Sequence, residues 1–446
     1  MDHIPTDRLA IPIEAEGVKI INSPAEFYET LLEKIRGAKN RIYLSSLYLG
    51  DGKLENDLID SISARLDDQK DLDVTVLFDF LRGSRGEKQG KSSTTLLKRI
   101  AARAKVYLYH TPALRGHLKS LLSERTNEII GLQHMKLYVF DDAVLISGAN
   151  LSDSYFTNRQ DRYVLIEKTP ELANFFCSVI NAVGSCSFIL HPDGNTSLHE
   201  NAPHHPFLGD NSSYSSALRD RVLAVIGDAR ASSSLSQTSS DTVVVPILQM
   251  GPIGIDDEHY FLKKLFAAKD ECMEMTVASG YLNATQEYEE LMLGEGKYSL
   301  TVLMAAPEAN GFAGATGLSR FVPSMYTSIA RNFYDSILLH KREKVELREW
   351  RRTGWTFHAK GIWCDYGNRM DTVVGSSNYG FRSLERDLEA QVVLSTTNGE
   401  LIQRLREERN SLMGFSSVVD GAILRRADHH VPSIVAFLSK FIRNFF

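Results

Sequence analysis

A histidine, a lysine two residues later and an aspartate five residues beyond the lysine occur together twice in this chain of 446 residues. The two copies are His134, Lys136 and Asp141, and His358, Lys360 and Asp365. One match to so short a pattern is weak, but two matches with similar surroundings are not a chance event. The repetition indicates a duplicated architecture, so a site shared between the copies is the first hypothesis.

The surroundings of the motif repeat as well. Each half has an amphipathic helical segment followed by a strand-like run, then two further β-rich runs, and then the histidine motif. The paired segments are 23–50 with 256–283, 72–80 with 298–306, and 105–110 with 344–350. Strands that alternate with helices at this interval are typical of layered α/β units with a parallel or mixed sheet. We therefore predict a first domain over 1–200, a polar connection with one helix over 201–242, and a second domain over 243–446.

Each motif is followed by a glycine, an asparagine and, at the same distance, an acidic residue. These are Gly148, Asn150 and Asp161 in the first half, and Gly375, Asn378 and Glu389 in the second. On an extended strand residues i and i+2 share a face, so each histidine should lie beside its lysine. We predict that each acid accepts the second N–H of a catalytic imidazole. Which acid serves which histidine is open at this point.

These residues resemble the signature of the phospholipase D superfamily, and the resemblance extends through both halves. It implies two homologous α/β/α domains packed face to face as a pseudo-dimer, with one active site made from both motifs and no metal or other cofactor. It carries catalytic roles to His134, Lys136, Asn150, His358, Lys360 and Asn378. The resemblance also implies that Asp141 and Asp365 support the fold away from the phosphate.

The residue types suit attack on a phosphodiester. Its anionic oxygens repel a nucleophile, so ammonium and amide groups must stabilise the charge of the transition state. One imidazole can attack phosphorus, and the other can protonate the leaving oxygen and then deprotonate the acceptor. By family precedent His134 is the predicted nucleophile and His358 the predicted acid and base.

Four longer segments narrow the resemblance to a eukaryotic branch of the superfamily. They are 77–97, 131–163, 243–255 and 356–363. The branch transfers the phosphatidyl group of CDP-diacylglycerol to glycerol 3-phosphate with release of CMP, giving phosphatidylglycerophosphate for cardiolipin synthesis, peripherally at the mitochondrial inner membrane. The alternatives are transfer to serine, and hydrolysis of a lipid or nucleic-acid phosphodiester. A formal charge of −6 argues against nucleic acid as a partner.

Several side chains are candidates for binding the two substrates. Arg82 and Arg85 follow a predicted strand, where guanidinium groups can hold phosphate, although an exposed basic turn is the alternative. Others flank the acid-bearing segments and could bind glycerol 3-phosphate, although each could instead be solvated or salt-bridged: Arg159, Arg162, Arg382 and Arg386. Tyr48 and Tyr281 end equivalent strands and either line the site or pack in the core.

The segment 431–446 has apolar residues at helical spacing and predicts an interfacial membrane helix, in which we expect Phe437, Phe441, Phe445 and Phe446 to contact lipid. A helix docked on its own core would have the same pattern. The stretch 114–131 is a second, weaker membrane candidate. No window of the sequence approaches the ~18 apolar residues of a bilayer span.

Overall fold

The computed structural model describes residues 9–116, 127–128, 130–233, 240–271 and 273–442. Their strands, in chain order, are β1 (Ile11–Pro12), β2 (Val18–Ile21), β3 (Arg41–Ser45), β4 (Asp73–Asp79), β5 (Lys105–Tyr109), β6 (Leu137–Phe140), β7 (Ala143–Ser147), β8 (Arg159–Gln160), β9 (Tyr163–Ile166), β10 (Phe188–Leu190), β11 (Thr196–Leu198), β12 (Thr242–Met250), β13 (Ile255–Asp256), β14 (Glu274–Ser279), β15 (Ser299–Ala305), β16 (Val345–Trp350), β17 (Thr356–Phe357), β18 (Lys360–Asp365), β19 (Met370–Gly375), β20 (Leu388–Thr396) and β21 (Ser416–Val418).

The α-helices of the described residues flank these strands. They are α1 (Pro24–Gly37), α2 (Lys53–Asp68), α3 (Phe80–Ser84), α4 (Ser93–Leu97), α5 (Asp153–Thr157), α6 (Pro170–Gly184), α7 (Asn211–Ser233), α8 (Asp257–Phe266), α9 (Gln286–Glu290), α10 (Val322–Leu339), α11 (Phe381–Glu385), α12 (Gly399–Met413) and α13 (Ser433–Ile442). No helix in these ranges is both long enough and apolar enough to cross a membrane.

The two halves form sheets with the same topology. The first sheet contains the order β5-β4-β3-β6-β7-β9-β2, and the second contains β16-β15-β14-β18-β19-β20-β12. In each sheet the first three strands are parallel and the others antiparallel. The predicted duplicated α/β fold with mixed sheets is confirmed, and the equivalent strands β6 and β18 follow the two histidines.

Local sequence explains why the first half begins as it does. At the start of α1 the Ser23 hydroxyl accepts a hydrogen bond from the Glu26 N–H at 3.2 Å, and Pro24 occupies the first turn, where its missing N–H costs nothing. The buried face of α1 then covers the sheet with Phe27, Leu31 and Ile35. The same helix-then-strand order recurs in α8 and β14.

A shared hydrophobic core joins the two sheets. Its buried members come from both halves, including Val139 and Ile146 from the first sheet and Trp363 and Leu394 from the second. Two further cores lie on the outer faces, one beneath α1 and α2 and one beneath α8 and α10. The halves therefore pack face to face, with each sheet covered by helices on its outer side.

Two details differ from the sequence-based expectation. His134 and His358 lie just before β6 and β18 and not within them, so the strand-face argument does not by itself place each histidine beside its lysine. The connecting helix α7 is also more than a surface link, because Tyr214, Leu218 and Val222 are buried in the shared core. Most of the second membrane candidate, residues 117–126 and 129, lies outside the described residues.

Candidate active site

The two histidines are each paired with a carboxylate from the opposite half. Nδ1 of His134 lies 2.9 Å from both carboxylate oxygens of Glu389. Nδ1 of His358 lies 2.6 Å from Oδ2 of Asp161. An ionised carboxylate only accepts hydrogen bonds, so each Nδ1 carries the proton and each Nε2 presents its lone pair. The pairing that the sequence left open is therefore crossed between the halves.

Backbone hydrogen bonds between the halves produce this crossing. The His134 N–H donates to the Leu388 carbonyl at 2.9 Å, directly before Glu389. The His358 N–H donates to the Gln160 carbonyl at 2.8 Å, directly before Asp161. The second contact extends the parallel pairing of β8 with β17, a two-stranded sheet formed between the halves that the sequence did not predict.

The two lysines are completely buried beside the histidines. Lys136 donates to the backbone carbonyl of His134 at 2.7 Å, and Lys360 donates to that of His358 at the same distance. Gly148 makes room for this arrangement, because a Cβ there would lie 2.6 Å from Cδ of Lys360 and 2.7 Å from Oδ1 of Asp161. The glycine noted in the sequence is thus required by a side chain from the other half.

Burial controls the electrostatics of the site. It lowers the pKa of both histidines well below the ordinary value, and the lysines reinforce this change. Burial also lowers the pKa of Lys136 strongly and that of Lys360 to about 8. It raises the pKa of Asp161 to about 6, against the opposing effect of Lys360. His134 itself contributes to the lowered pKa of His358, which places both rings in one electrostatic environment.

The two asparagines lie at the same site with different partners. Asn150 Oδ1 accepts a hydrogen bond from Ser46 at 3.4 Å, and its Nδ2 donates to the Tyr155 hydroxyl at 3.1 Å. Asn378 Oδ1 is buried without a hydrogen-bond partner among the described residues. A buried amide oxygen without a partner is costly, and as an acceptor it suits a hydroxyl or N–H donor of a ligand and not a phosphate oxygen.

Tyr155 is a site residue that the sequence analysis missed. Its hydroxyl lies 3.1 Å from Nε2 of His358, and its ring meets the imidazole edge-on with centroids 5.0 Å apart. The signal available in the sequence was position alone: Tyr155 is five residues after Asn150, whereas Ser383 is five residues after Asn378. Without coordinates nothing distinguished it from a core tyrosine.

The aspartates of the motif lie at strand ends and hold the backbone. Asp141 accepts hydrogen bonds from the N–H groups of Lys39, Asn40 and Arg41 at 2.7 to 3.1 Å. Asp365 accepts two hydrogen bonds from the Arg406 guanidinium, both at 2.7 Å. Both positions act on the fold, as the resemblance implied.

One group of ligand atoms in the described residues is close enough for a metal ion. Atoms of His134, Asp387 and Glu389 lie within 4.8 Å of one another. The existing contacts account for this proximity, because Glu389 accepts from His134 while Asp387 accepts from Arg382 at 3.0 Å and from the Leu132 N–H at 2.9 Å. A cation would have to displace the Nδ1 proton of His134 and compete with the arginine.

Comparison with known proteins identifies the family. The family model "Cardiolipin synthase, PLD-like domain" matches residues 31–180. The mitochondrial CDP-diacylglycerol--glycerol-3-phosphate 3-phosphatidyltransferase of Gallus gallus is 41% identical over 97% of this chain and 84% of its own length. The Homo sapiens protein of the same name is 39% identical with the same coverage. The chain belongs to this phosphatidyltransferase family. A solved phosphatidylserine synthase from Haemophilus influenzae shares the fold, with a TM-score of 0.72, 21% identity and coverage of 97% of this chain and 94% of that one.

Three of the candidate arginines lie near the catalytic groups of this phosphatidyltransferase family member. The Arg82 guanidinium stacks on the Tyr48 ring at 3.6 Å, and Arg159 lies 4.7 Å from the centroid of Tyr155. Arg382 contributes to the electrostatic environment of His134 while it pairs with Asp387. Arg85, near Arg82, is paired with Glu128 at 2.8 Å.

The other two arginines of the predicted binding set lie elsewhere. Arg162 is buried between the halves, where it pairs with Glu408 at 2.8 Å and lies 3.7 Å from the Trp363 ring centroid. It follows Asp161 directly in the short segment between β8 and β9, yet its guanidinium contacts Glu408 and Trp363 and not His358, which the sequence position could not show. Arg386 lines a separate cleft with Pro112, Ile130 and Pro252.

Tyr281 and the C-terminal helix complete the set of candidate residues. The Tyr281 ring meets that of His358 edge-on, with centroids 5.4 Å apart. Phe437 on α13 is 58% exposed and Ile434 61% exposed, whereas Val435 is buried. The side chain of Phe441, together with Phe445 and Phe446, lies outside what the structure describes.

Proposed function

We propose that this chain transfers the phosphatidyl group of CDP-diacylglycerol to glycerol 3-phosphate, releasing CMP and forming phosphatidylglycerophosphate for cardiolipin synthesis. The observation that carries the proposal is the crossed pair of buried histidines, each oriented by a carboxylate, in a chain whose relatives carry this activity in their names. Two imidazoles with opposed roles permit a double displacement at phosphorus.

In the first step Nε2 of His134 attacks the phosphatidyl phosphorus, and the bond from phosphorus to the CMP oxygen breaks. His358 donates a proton to that oxygen from its doubly protonated imidazolium form, which the bound phosphate anion stabilises. The unequal surroundings of the two rings support these roles. Nε2 of His134 has no hydrogen-bond partner among the described residues, whereas Nε2 of His358 faces a hydroxyl. A nucleophile needs its lone pair uncovered, and an acid or base works through a hydrogen bond.

In the second step His358 takes the proton of the acceptor hydroxyl, whose oxygen then attacks the phosphohistidine and returns His134 to its free form. Lys136, Lys360 and the amides of Asn150 and Asn378 stabilise the charge on the phosphoryl oxygens. An anion arriving between the buried lysines raises the pKa of each, so the substrate itself favours the charged ammonium forms.

The two substrates have separate places in the proposal. Arg82 and Arg85 border a cleft of about 510 Å³ that is also lined by Tyr48, Lys91 and Ser152, and these groups suit the phosphates of the nucleotide donor. Arg159 contacts the ring of Tyr155, whose hydroxyl lies 3.1 Å from Nε2 of His358, and is the proposed binding group for the phosphate of an acceptor whose hydroxyl meets that base. Arg382 is nearer His134 and its charge is compensated by Asp387.

Access to a lipid substrate is proposed to run through α13. One face of this helix packs on α10, where Ser439 and Ser328 are hydrogen-bonded at 3.1 Å. The other face exposes Ile434 and Phe437 to the surroundings. This division suits peripheral binding in the interfacial region of a membrane. The names of the vertebrate relatives support a mitochondrial location, and within it the inner membrane is the proposed surface.

The test of the function is an acceptor competition. Purified protein is incubated with CDP-diacylglycerol in detergent and with labelled glycerol 3-phosphate, labelled serine or water alone. Label from glycerol 3-phosphate should enter lipid in proportion to the CMP released. Incorporation of serine, or release of CMP with phosphatidic acid as the main lipid product in the presence of glycerol 3-phosphate, would overturn the proposal.

A further inference from the structure

The reacting nitrogens of the two histidines have unequal neighbours. Nε2 of His358 lies 3.1 Å from the Tyr155 hydroxyl and also 3.1 Å from Nζ of Lys360, whereas Nε2 of His134 has no hydroxyl or ammonium neighbour at hydrogen-bond distance in the described ranges. The equivalent position in the second half is Ser383, whose hydroxyl is bonded to the Asn378 N–H at 3.1 Å. A serine side chain ends at Cβ–Oγ and is occupied locally, so the duplicated fold covers only one of the two nitrogens.

The surrounding hydrogen bonds fix the direction of the Tyr155 contact. The Ser46 hydroxyl, which also lies 3.3 Å from the Tyr48 carbonyl, faces Asn150 Oδ1 at 3.4 Å, and Nδ2 of Asn150 donates to the Tyr155 oxygen at 3.1 Å. The phenol oxygen therefore accepts from Asn150, and its own proton is left to donate to Nε2 of His358. Asp161 accepts from Nδ1 of His358 at 2.6 Å, which leaves Nε2 as the acceptor nitrogen.

The Tyr155 ring is also held in place from two sides. Only 2% of the residue is exposed, and its ring meets that of His358 at an interplanar angle of 83°. The Arg159 guanidinium lies 4.7 Å from the ring centroid. Arg159 thus contacts the tyrosine that covers the base, and it is also the group proposed to bind the acceptor phosphate.

We propose that Tyr155 is a positioning residue that keeps water away from His358 and so directs the phosphatidyl group to an alcohol. Its hydroxyl occupies the place beside Nε2 that the CMP oxygen takes in the first step and that an activated water would take in the second. When the acceptor phosphate binds Arg159, the guanidinium loses its contact with the Tyr155 ring. The acceptor hydroxyl then replaces the phenol hydroxyl at Nε2 of His358. Water has no phosphate with which to compete for Arg159, so the cover stays closed to it.

Tyr155 acts on the second step, in which either an alcohol or water attacks the phosphohistidine. In transfer, the bond from His134 Nε2 to phosphorus breaks, the acceptor oxygen bonds to phosphorus, and its proton passes to Nε2 of His358. In hydrolysis, water supplies the oxygen and the proton, and the lipid product is phosphatidic acid. The inference rests on the proposed two-step reaction and adds what decides between these two acceptors.

The test replaces Tyr155 with phenylalanine, which keeps the ring and removes the hydroxyl. The resulting gap has two polar partners, Asn150 Nδ2 and His358 Nε2, and is suited to hold one water molecule. Total CMP, phosphatidic acid and phosphatidylglycerophosphate are measured at saturating glycerol 3-phosphate. The expected result for Tyr155→Phe is a rise of about tenfold in the ratio of phosphatidic acid to phosphatidylglycerophosphate, the size of one lost hydrogen bond.

Tyr214→Phe is the matched control. Tyr214 is another fully buried tyrosine, and its hydroxyl donates to the Cys186 carbonyl at 2.9 Å and to none of the groups around His358. Its product ratio should match that of the unaltered protein. Ser46→Ala provides a second variant, because it frees the Asn150 amide to turn and should raise the ratio in the same direction by less.

An unchanged ratio in Tyr155→Phe, an equal rise in Tyr214→Phe, or loss of CMP release in Tyr155→Phe while Tyr214→Phe retains it would each overturn the inference. Failure of the proposed function is distinguishable, because in that case the unaltered protein itself would make no phosphatidylglycerophosphate.

Discussion

Glu389 holds the imidazole of His134 from 255 positions away in the chain, with both carboxylate oxygens 2.9 Å from Nδ1. Asp161 holds His358 in the reciprocal manner. Each half of the molecule thus supplies the carboxylate that orients the histidine of the other half, and the consequences can be measured separately for each histidine.

The first prediction concerns the covalent intermediate. With a donor labelled in its phosphatidyl phosphate and no acceptor, His134→Ala should form no acid-labile, alkali-stable adduct on the protein. His358→Ala should still form it, because CMP leaves as a phosphate that needs little protonation, and the adduct should persist because no base activates the acceptor. An adduct found in His134→Ala and absent from His358→Ala would reverse the two roles.

The second prediction is a bell-shaped dependence of kcat/KM on pH. Activity should rise as pH increases through about 6, because a protonated Asp161 cannot accept from His358, and fall as pH increases through about 8, because Lys360 loses its proton. Asp161→Asn should remove the acid limb. Lys360→Arg should move the alkaline limb to higher pH at reduced rate, since a guanidinium stays charged. If a limb of the pH profile does not respond to its substitution, the pKa of that limb belongs to a different residue.

The third prediction separates the two substrates. Arg82→Ala should raise KM for CDP-diacylglycerol by about 10- to 100-fold with little effect on KM for glycerol 3-phosphate, and Arg159→Ala should do the reverse. The magnitude is that of a lost charge-assisted hydrogen bond to phosphate. Arg99→Ala, which removes an exposed arginine paired with Asp60, is the control and should change neither. Equal effects of both variants on both substrates would contradict separate subsites.

The fourth prediction concerns the membrane. Replacing Ile434 and Phe437 together with serine should weaken binding to vesicles containing cardiolipin and phosphatidylcholine by at least about tenfold, because each apolar side chain contributes ~1.5–3 kcal/mol when buried. Turnover of substrate dispersed in detergent should be retained. Leu208→Ser, at a residue that is 76% exposed in another part of the molecule, is the control for the sedimentation assay. Equal binding by both variants would exclude α13 as the contact.

The fifth prediction concerns stability. Arg162 and Glu408 form a buried ion pair between the halves, with exposures of 0% and 5% for their side chains. Arg162→Ala should lower the free energy of unfolding by about 3–5 kcal/mol, because it leaves the Glu408 carboxylate buried without its partner. Arg99→Ala should lower it by less than about 1 kcal/mol. Denaturant unfolding monitored by circular dichroism gives both free energies of unfolding. A similar decrease in the two variants would show that the buried ion pair contributes no more to stability than the exposed one.

Much of the fold was predictable because each helix and strand has a clear hydrophobic periodicity and because the order of these elements is repeated in the two halves. The alternation of helix and strand and the spacing from Asn150 to Asp161 recur in the second half, and the sheets follow the same order. The pairing of histidines with carboxylates was not predictable, since it depends on β8 meeting β17 across the interface. The direction of Arg162 and the role of Tyr155 were likewise invisible, because each depends on packing between residues about 200 positions apart or more.

The crossed carboxylates also bear on the origin of the molecule. Among the described residues, the carboxylate bonded to each imidazole comes from the other copy, so an ancestor with one copy would have obtained this pairing as two identical chains in contact. In such a dimer both rings would necessarily have had the same neighbour. Joining the copies in one polypeptide let a tyrosine be kept at one position and a serine at its counterpart, so mutation could specialise one ring without altering the other.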